Sequence, residues 1–327
     1  MKKVFVFFAV LAVLLLASCS SNDDTTTNPP YTPVAINISN TIGTYGRAAT
    51  DIQSSQIAKN VKIGLFSFVF GNTTMAQTKK SIDEYGYINI PYISDGDGKL
   101  KVCNQPTYYP ADGTTVDLYA YAPYNKDFTP KDISQTTGGN ILPFTVNSNQ
   151  YIDTLYEASD LLWATPLLDQ ASSTTERNLD FTHKLSKITF TLNTSDEKYI
   201  TTEDLEAAEI SILNIKPTTS LNVATGSIAD ASGSKITIKV QKAYSSSLKA
   251  SAIIVPQTIT EGTPFIQIKI GTNVYEYAIP SMEEMIFRTA QHYSYIITVT
   301  PTGLIVTTAI TDWTVDEEHS GNASQTT

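Results

Sequence analysis

The chain has 327 residues, with 22 lysines and arginines against 32 aspartates and glutamates, and therefore a formal net charge of −10. This acidic balance argues against a nucleic-acid partner, because such binding depends on a basic surface that releases counterions. The length is more than one compact core usually holds, so we expect two domains.

Residues 1–18 carry, in order, the features of a bacterial lipoprotein signal. A basic start, Met1 to Lys3, precedes an apolar run, Val4 to Leu16, that is too short and wrongly flanked for an ordinary membrane span. The "LASC" that ends at Cys19 resembles a lipobox. We therefore expect cleavage before Cys19 and a lipid on its thiol, which would hold the precursor on the outer membrane. A plain signal peptide with an incidental cysteine is the alternative.

Residues 19–33 form a polar, acidic and proline-containing segment whose composition predicts a tether that cannot bury a core. Its Asp23 and Asp24 resemble the surface-export signal of some Gram-negative lipoproteins, although a solvated linker explains them equally well. With Cys19 lipidated, only Cys103 remains, so no intrachain disulfide is possible. We expect Cys103 to be a small buried residue, because it follows the alternating run "KLKV".

Apolar and polar residues alternate directly after the tether, which predicts a half-buried β-strand. Its apolar face consists of four aliphatic residues: Val34, Ile36, Ile38 and Ile42. A segment of small residues follows and carries Arg47, one of three arginines in the chain. Exposed loops of this kind are where proteases cut. Burial of the four side chains, at roughly 6–12 kcal/mol before entropy is subtracted, would hold the strand in place after a cut.

Short apolar or alternating runs bounded by Gly, Pro, Asn, Asp or Ser fill the rest of the chain and predict an all-β protein. They form two series, and the least hydrophobic stretch between them is Asp169 to Asn178. We therefore place the domains at residues 48–177 and 178–327. Thr201 to Glu209 is the best candidate for a helix, with Thr201 as its cap. Many short strands at regular spacing are typical of sandwiches or barrels.

Residues with catalytic or metal-binding chemistry do not form a recognisable set. His183 and His292 lie in strand patterns without Cys, Asp or Glu at metal-ligand spacing, and His319 lies in the polar tail, so we expect no metal and no cofactor. The "SDGDGK" at Ser94 to Lys99 fits a hairpin turn better than a calcium loop, because the distal ligands are missing. No acid/base or nucleophile set can be assembled from the motifs present, so an enzyme is disfavoured.

Tyrosines are abundant in the first series of strands, and such rings could stack on sugars. The eight are Tyr85, Tyr87, Tyr92, Tyr108, Tyr109, Tyr119, Tyr121 and Tyr124. Because no single loop concentrates them, we interpret them as packing residues. A monomeric surface lipoprotein that binds glycans nevertheless remains the alternative function.

Several motifs, in their order along the chain, resemble the fimbrillin family, the type V pilin-like surface lipoproteins of Gram-negative anaerobes. They are "LASC", the first strand with Arg47, "KIGLFSF", "YYPADGTTVDLYAYAPY", "SDLLWA", "LDFTHKLSKITFTL", "AIIVPQTI", "YSYIITVTPTGL" and "ITDW". The resemblance implies two transthyretin-like antiparallel β-sandwich domains in tandem. It also implies export as a lipoprotein to the cell surface and a structural role in a fimbria that mediates adhesion.

The resemblance further gives the strand and the arginine a role in assembly. A trypsin-like or arginine-specific protease would cut between Arg47 and Ala48 and release residues 34–47. The vacated groove would take a C-terminal strand from another fimbrial subunit. The donor candidate lies within Gly303 to Val315, where Leu304, Val306, Thr308 and Ile310 alternate. Arg47 as an ordinary surface residue, Arg177 as a rival cleavage site, and a stalk, tip or accessory position all remain open.

Overall fold

The computed structural model describes residues 32–42, 56–69, 87–128, 140–243 and 246–313, and these residues form an all-β structure. The first strands are β1 (Ile38–Ile42), β2 (Lys62–Val69), β3 (Tyr87–Ser94), β4 (Lys99–Val102), β5 (Val116–Ala122), β6 (Ile141–Thr145), β7 (Leu162–Ala164), β8 (Leu167–Gln170) and β9 (Arg177–His183). Helix α1 (Asp153–Glu157) lies between β6 and β7.

The later strands are β10 (Ser186–Thr194), β11 (Glu209–Ile215), β12 (Thr218–Asn222), β13 (Ile236–Lys239), β14 (Gln241–Ala243), β15 (Ser246–Ile254), β16 (Thr258–Ile259), β17 (Pro264–Ile270), β18 (Asn273–Ala278), β19 (Met285–Ile286), β20 (Gln291–Thr300) and β21 (Gly303–Asp312). Helix α2 (Thr202–Ala207) precedes β11. As predicted, Thr201 caps α2: its hydroxyl accepts a hydrogen bond from the Asp204 N–H, and the Asp204 carboxylate accepts one from the Thr201 N–H.

An eight-stranded sheet contains the first strands in the order β2-β3-β4-β1-β9-β7-β5-β8, and β2 also pairs with β5. This second pairing closes the sheet on itself around one core, which we call the first core. Alternate residues of each strand point into it, as the period of two requires. Its members include Ile38, Leu65, Leu118, Leu179 and Phe181, all of which are buried.

A five-stranded sheet, β14-β15-β10-β20-β21, and a four-stranded sheet, β13-β11-β17-β18, enclose the second core. Phe190 on β10 and Tyr295 on β20 are buried from one sheet, and Ile212 on β11 is buried from the other. Two buried rings on the outer face of the closed sheet, Phe66 and Tyr121, belong to this same apolar cluster. The two cores are therefore packed back to back through the wall that β2 and β5 form.

The chain passes from the first sheet to the second through Lys184 and Leu185, between β9 and β10. The sequence pattern predicts one continuous strand over Leu179 to Leu192. The structure contains two strands in two sheets, because β9 pairs with β7 whereas β10 pairs with β15 and β20. The domain division predicted at residues 177 and 178 coincides with the start of β9, several residues before the crossing.

Two local predictions about residues 94–103 have different outcomes. Ser94 to Lys99 is the predicted hairpin turn: Asp95 Oδ1 accepts hydrogen bonds from the N–H groups of Asp97 and Lys99 at 2.9 and 3.1 Å. The hydrogen bond from the Asp97 N–H is the main cause that lowers the pKa of Asp95. The predicted burial of Cys103 is wrong. Strand β4 ends at Val102, so Cys103 lies beyond the alternating ladder and is exposed.

Candidate functional site

Strand β1 lies in the interior of the closed sheet, between β4 and β9. It pairs parallel with β9 over its whole length, from Ile38 opposite Arg177 to Ile42 opposite Phe181. Its other edge pairs antiparallel with β4, where Ser39 lies opposite Lys99. The predicted first strand is therefore held by hydrogen bonds on both edges, and no edge of it faces solvent along these pairings.

The segment before β1 extends this attachment. The Ile36 N–H donates to the Thr107 carbonyl at 2.8 Å, and the Val34 carbonyl accepts from the Tyr109 N–H at 3.0 Å. The Asn37 carbonyl accepts from the Arg177 N–H at 2.8 Å. The hydrogen-bonded strand segment thus begins four residues before β1 itself.

The apolar face of the strand points into the first core, as the sequence predicts. Ile36 and Ile38 are 3 % and 1 % exposed, and Val34 and Ile42 are partly buried against the same core. The two fully buried isoleucines contribute roughly 3–6 kcal/mol, and the two partly buried residues add less. This burial is large enough to hold β1 in the sheet without a covalent connection to the rest of the chain.

Asn40 lies on this same buried face and is 1 % exposed. Its Oδ1 accepts a hydrogen bond from the Ile57 N–H at 2.8 Å, and among the described residues none accepts from its Nδ2. Asn40 thus supplies the polar group that satisfies one buried backbone donor of the first core. The apolar alternation of the strand does not predict this role, because it does not reveal a backbone donor 17 residues away.

The opposite face of β1 is polar and partly exposed. The Ser39 hydroxyl donates to Asn178 Oδ1 at 3.3 Å, and the Thr41 hydroxyl donates to Asp180 Oδ1 at 3.3 Å. The Asn178 amide donates to Thr41 Oγ1 at 2.9 Å. These pairs join β1 to β9 on the outer surface. They are solvated and contribute little to stability, so the apolar face and the backbone ladder dominate the attachment.

The residues predicted for processing, Cys19, Arg47 and Ala48, lie outside the described residues. The rival cleavage site Arg177 is described and does not lie in a loop. It begins β9, its N–H is part of the attachment of β1, and its guanidinium donates to the Tyr109 hydroxyl and to the Ala171 carbonyl. A protease needs an extended, accessible segment, so this position is poorly suited to cleavage.

Strand β21, the donor candidate, is an edge strand. Over the described residues it pairs with β20 alone, through ten antiparallel positions from Gly303 to Asp312. Leu304 and Val306 pack against the second core, whereas Thr308 and Ile310 on the same face are exposed. No charged residue interrupts the strand before Asp312. A long, uncharged edge strand of this kind is prone to pair with another chain.

Trp313 fixes the end of β21. Its N–H donates to the Ala290 carbonyl at 2.8 Å, and its side chain is 6 % exposed. The indole stacks on the imidazole of His183, at the end of β9, and the ammonium of Lys187 lies 6.0 Å from the ring centroid. His183 Nδ1 in turn is 2.8 Å from Asp160 Oδ1. The end of β21 therefore rests on the crossing between the two sheets.

A family model described as fimbrillin-like matches residues 47–313 of this chain. The chain belongs to the fimbrillin-like family. A protein of Bacteroides uniformis described as a candidate fimbrium subunit, Fim1C, is 27 % identical over 213 residues, which are 64 % of this chain and 65 % of that protein. This fimbrillin-like chain thus spans just under two thirds of that relative's length.

Solved structures have the same fold as this fimbrillin-like chain. A crystal structure of a candidate cell adhesion protein from Bacteroides uniformis gives a TM-score of 0.64 at 23 % identity, over 88 % of this chain and 100 % of that one. A second candidate cell adhesion protein, from Bacteroides ovatus, gives 0.63 at 18 % identity with the same coverage. At these identities the likeness establishes the fold only.

One buried histidine of the fimbrillin-like chain, His292, is hydrogen-bonded between two strands of the second core. His292 is buried and lies 2.8 Å from the Thr189 hydroxyl, and burial, followed by the charge of Lys187, lowers its pKa to about 4. Within the described ranges, no three His, Cys, Asp or Glu residues are grouped as metal ligands. The same ranges hold no helix long and apolar enough to cross a membrane. His319 lies outside them.

Four of the eight tyrosines of the first series are buried, whereas Tyr108 is 36 % exposed and Tyr87 and Tyr124 are partly exposed. Tyr92, Tyr109, Tyr119 and Tyr121 are buried, and Tyr85 lies outside the described ranges. Burial raises the pKa of Tyr92, whose hydroxyl is hydrogen-bonded to Thr107. The Tyr121 ring contacts Phe66 and Phe128, and its hydroxyl donates to Asn89 Oδ1 at 2.9 Å. These four rings serve packing, so they give the glycan-binding alternative no support.

Proposed function

We propose that this protein is a structural subunit of a cell-surface fimbria that assembles by donor-strand exchange. The precursor is exported as a lipoprotein with its lipid on Cys19. A protease then cuts between Arg47 and Ala48, and the segment that ends at Arg47 leaves its groove. A C-terminal strand from a neighbouring subunit replaces it, and repetition of this head-to-tail contact builds a filament.

The position of β1 carries this proposal. Because β1 lies between β4 and β9, its departure would leave two unpaired strand edges and an opening into the first core. A vacancy of this shape accepts one extended segment with alternating apolar residues. Exposed core surface and unpaired edges are both costly, so the opened subunit has a strong tendency to capture such a segment.

The family and its relatives support the biological setting. Membership of the fimbrillin-like family, and the similarity to a candidate fimbrium subunit of Bacteroides uniformis, favour a structural protein of the cell surface whose partners are other fimbrial subunits. The family match begins at residue 47, the predicted cleavage site, and so leaves β1 outside. We assign the two cores to two transthyretin-like sandwich domains.

The cleavage step is tested by sequencing the N-terminus of the polymer sheared from cells. We expect wild-type polymer to begin at Ala48, and an Arg47→Ala strain to form none. Arg288→Ala is the matched control, because Arg288 is an exposed arginine that precedes β20 and lies far along the chain from β1. Polymer that begins at Cys19, or that forms normally from Arg47→Ala subunits, would contradict the proposed processing.

A further inference from the structure

The two strands that would exchange have the same order of apolar and polar side chains on the face that is buried. From Ile36 to the end of β1, the inward positions are apolar, apolar, polar and apolar: Ile36, Ile38, Asn40 and Ile42. In β21 the face that packs on the second core has the same order: Leu304, Val306, Thr308 and Ile310. The polar member is third in both strands.

We propose that β21 of one subunit enters the groove of the next in the direction of β1, with Thr308 at the position of Asn40. This inference rests on the proposed function and specifies its register. The Thr308 hydroxyl would then accept the hydrogen bond of the Ile57 N–H that Asn40 Oδ1 accepts in the closed subunit. Without an acceptor at this position, a buried backbone donor would be left unsatisfied.

Other alignments place the wrong chemistry at the buried positions. A shift of two residues in one direction puts Val306 at the Asn40 position, and a shift in the other direction puts Ile310 there, so that neither side chain accepts the Ile57 hydrogen bond. The second shift also puts Asp312 at the position of the partly buried Ile42. A shift of one residue presents the other face of β21 and fills the core poorly. In one direction Thr307 meets the Ile57 N–H, but Gly303 and Ala309 then replace Ile36 and Ile42. In the other direction Ala309 takes the position of Asn40 and offers no acceptor.

A reversed strand fails for the same reason. With β21 running opposite to β1 and centred on the groove, Thr308 takes the position of Ile38, which is 1 % exposed, and Val306 takes that of Asn40. If the reversed strand is moved so that Thr308 meets Ile57, Asp312 falls at the buried position of Ile36. The same direction as β1 is therefore the one that satisfies both the apolar positions and the single polar position.

The outer face agrees with this register. Thr307 takes the position of Ser39, so a hydroxyl again lies opposite Asn178 of β9. In the free subunit Thr307 and Thr308 are both exposed, so neither is required for the packing of the second core. The acceptor at Thr308 thus has a use in the assembled state that it does not have in the free state.

Cysteine trapping between two subunit populations tests register and direction separately. Acceptors carry Lys99→Cys, which faces position 39, or Asp180→Cys, which faces position 41. Donors carry Ile305→Cys, Thr307→Cys or Ala309→Cys, and all subunits carry Cys103→Ser. Side chains opposite each other on neighbouring strands are close enough for a disulfide. Both acceptor residues are exposed, so their replacement leaves the first core intact.

After cleavage and mixing, we expect disulfide-linked dimers from the 99–307 and 180–309 pairs. Links from 99–305 or 99–309 would overturn the register, and a 180–305 link would overturn the direction. Polymer that forms without any of these links would overturn the proposed register and face of β21, while leaving strand exchange by its other face or by another segment intact. If wild-type subunits also fail to polymerise after cleavage at Arg47, that result contradicts both the proposed function and this inference.

The hydrogen bond itself is tested by Thr308→Val, which keeps the shape of the side chain and removes the acceptor. We expect the filament contact to dissociate about tenfold faster or more, as the loss of one buried hydrogen bond implies. Thr308→Asn should retain the wild-type rate, because its amide oxygen reproduces Asn40. Thr311→Val is the control on the exposed opposite face. Equal dissociation rates for Thr308→Val and Thr311→Val would overturn the role of Thr308.

Discussion

Trp313 stacks on His183 with ring centroids 3.8 Å apart and an interplanar angle of 9°. The contact joins the end of β21 to the end of β9, and β9 is also the parallel neighbour of β1. The donor candidate thus rests on the same strand that lines the groove, two residues beyond Phe181, where the pairing of β9 with β1 ends. Release of β21 from its own subunit therefore requires that this stack be broken.

Replacement of Trp313 by alanine should loosen β21. Truncation of a buried tryptophan costs about 3–5 kcal/mol, and here the loss falls directly after the last residue of β21. We expect faster hydrogen exchange over residues 303–312 and a lower free energy of unfolding. Trp313→Phe keeps a ring on His183. Its hydrogen-exchange rates and its free energy of unfolding should lie between those of the wild type and Trp313→Ala. Unchanged exchange in Trp313→Ala would show that pairing with β20 alone holds β21.

Trp163 provides a second contact between the two cores, and Gly226 makes room for it. The Trp163 indole N–H donates to the Val223 carbonyl at 2.7 Å, and a Cβ at Gly226 would lie 2.6 Å from the Trp163 ring. Gly226→Ala should therefore destabilise the protein by about 1–3 kcal/mol more than Gly262→Ala. Gly262 is a matched control, because it has a similar positive φ of 68° but no atom within 4 Å of the place where a Cβ would lie. Equal losses in a denaturant titration would show that backbone strain alone is responsible.

His292 should make the protein less stable in mild acid. Its pKa is about 4 in the folded chain and about 6.5 in an unfolded one. As the pH falls from about 6.5 towards 4, the unfolded state binds the proton first, so stability present at neutral pH is lost across this window. His292→Gln should reduce the loss, because glutamine does not titrate and can still bond to Thr189. Superimposable pH profiles for the two proteins would contradict this assignment.

Asn40→Ala should weaken the attachment of β1 to the closed sheet, because it leaves the buried Ile57 N–H without its acceptor. The cost of such an unsatisfied donor is about 1–3 kcal/mol. After cleavage at Arg47, the strand should leave this variant faster than the wild type, as followed by mass spectrometry of the retained peptide. Asn37→Ala is the control, since Asn37 directly precedes β1 and its side chain is exposed. Equal release from both variants would show that Asn40 has no part in retention.

The sequence pattern is sufficient for elements whose geometry is local. The alternation that predicts β1 depends only on the period of two, and the cap of α2 depends on two residues three positions apart. The sequence pattern does not show that β9 and β10 are two strands, because the same alternation continues on both sides of Lys184. Only the pairing with different sheets distinguishes them, and pairing is a long-range property.

The role of Asn40 could not be predicted from the sequence for a similar reason. Its partner, the Ile57 N–H, is a backbone group that carries no sequence signal, and it meets Asn40 only after the sheet has closed. The burial of Cys103 was mispredicted because the end of β4, one residue earlier, is set by its neighbours β3 and β1. In both cases the tertiary context decides what a polar or small residue does.

The central claim is that β1 must leave its groove before subunits can join, and one disulfide tests this most directly. Ser39→Cys with Lys99→Cys, in a Cys103→Ser background, would tie β1 to β4 across an antiparallel pair on the exposed face. After cleavage at Arg47, we predict no polymer from the oxidised subunits and normal polymer once the disulfide is reduced. Polymer of normal yield from fully oxidised, cleaved subunits would contradict the account.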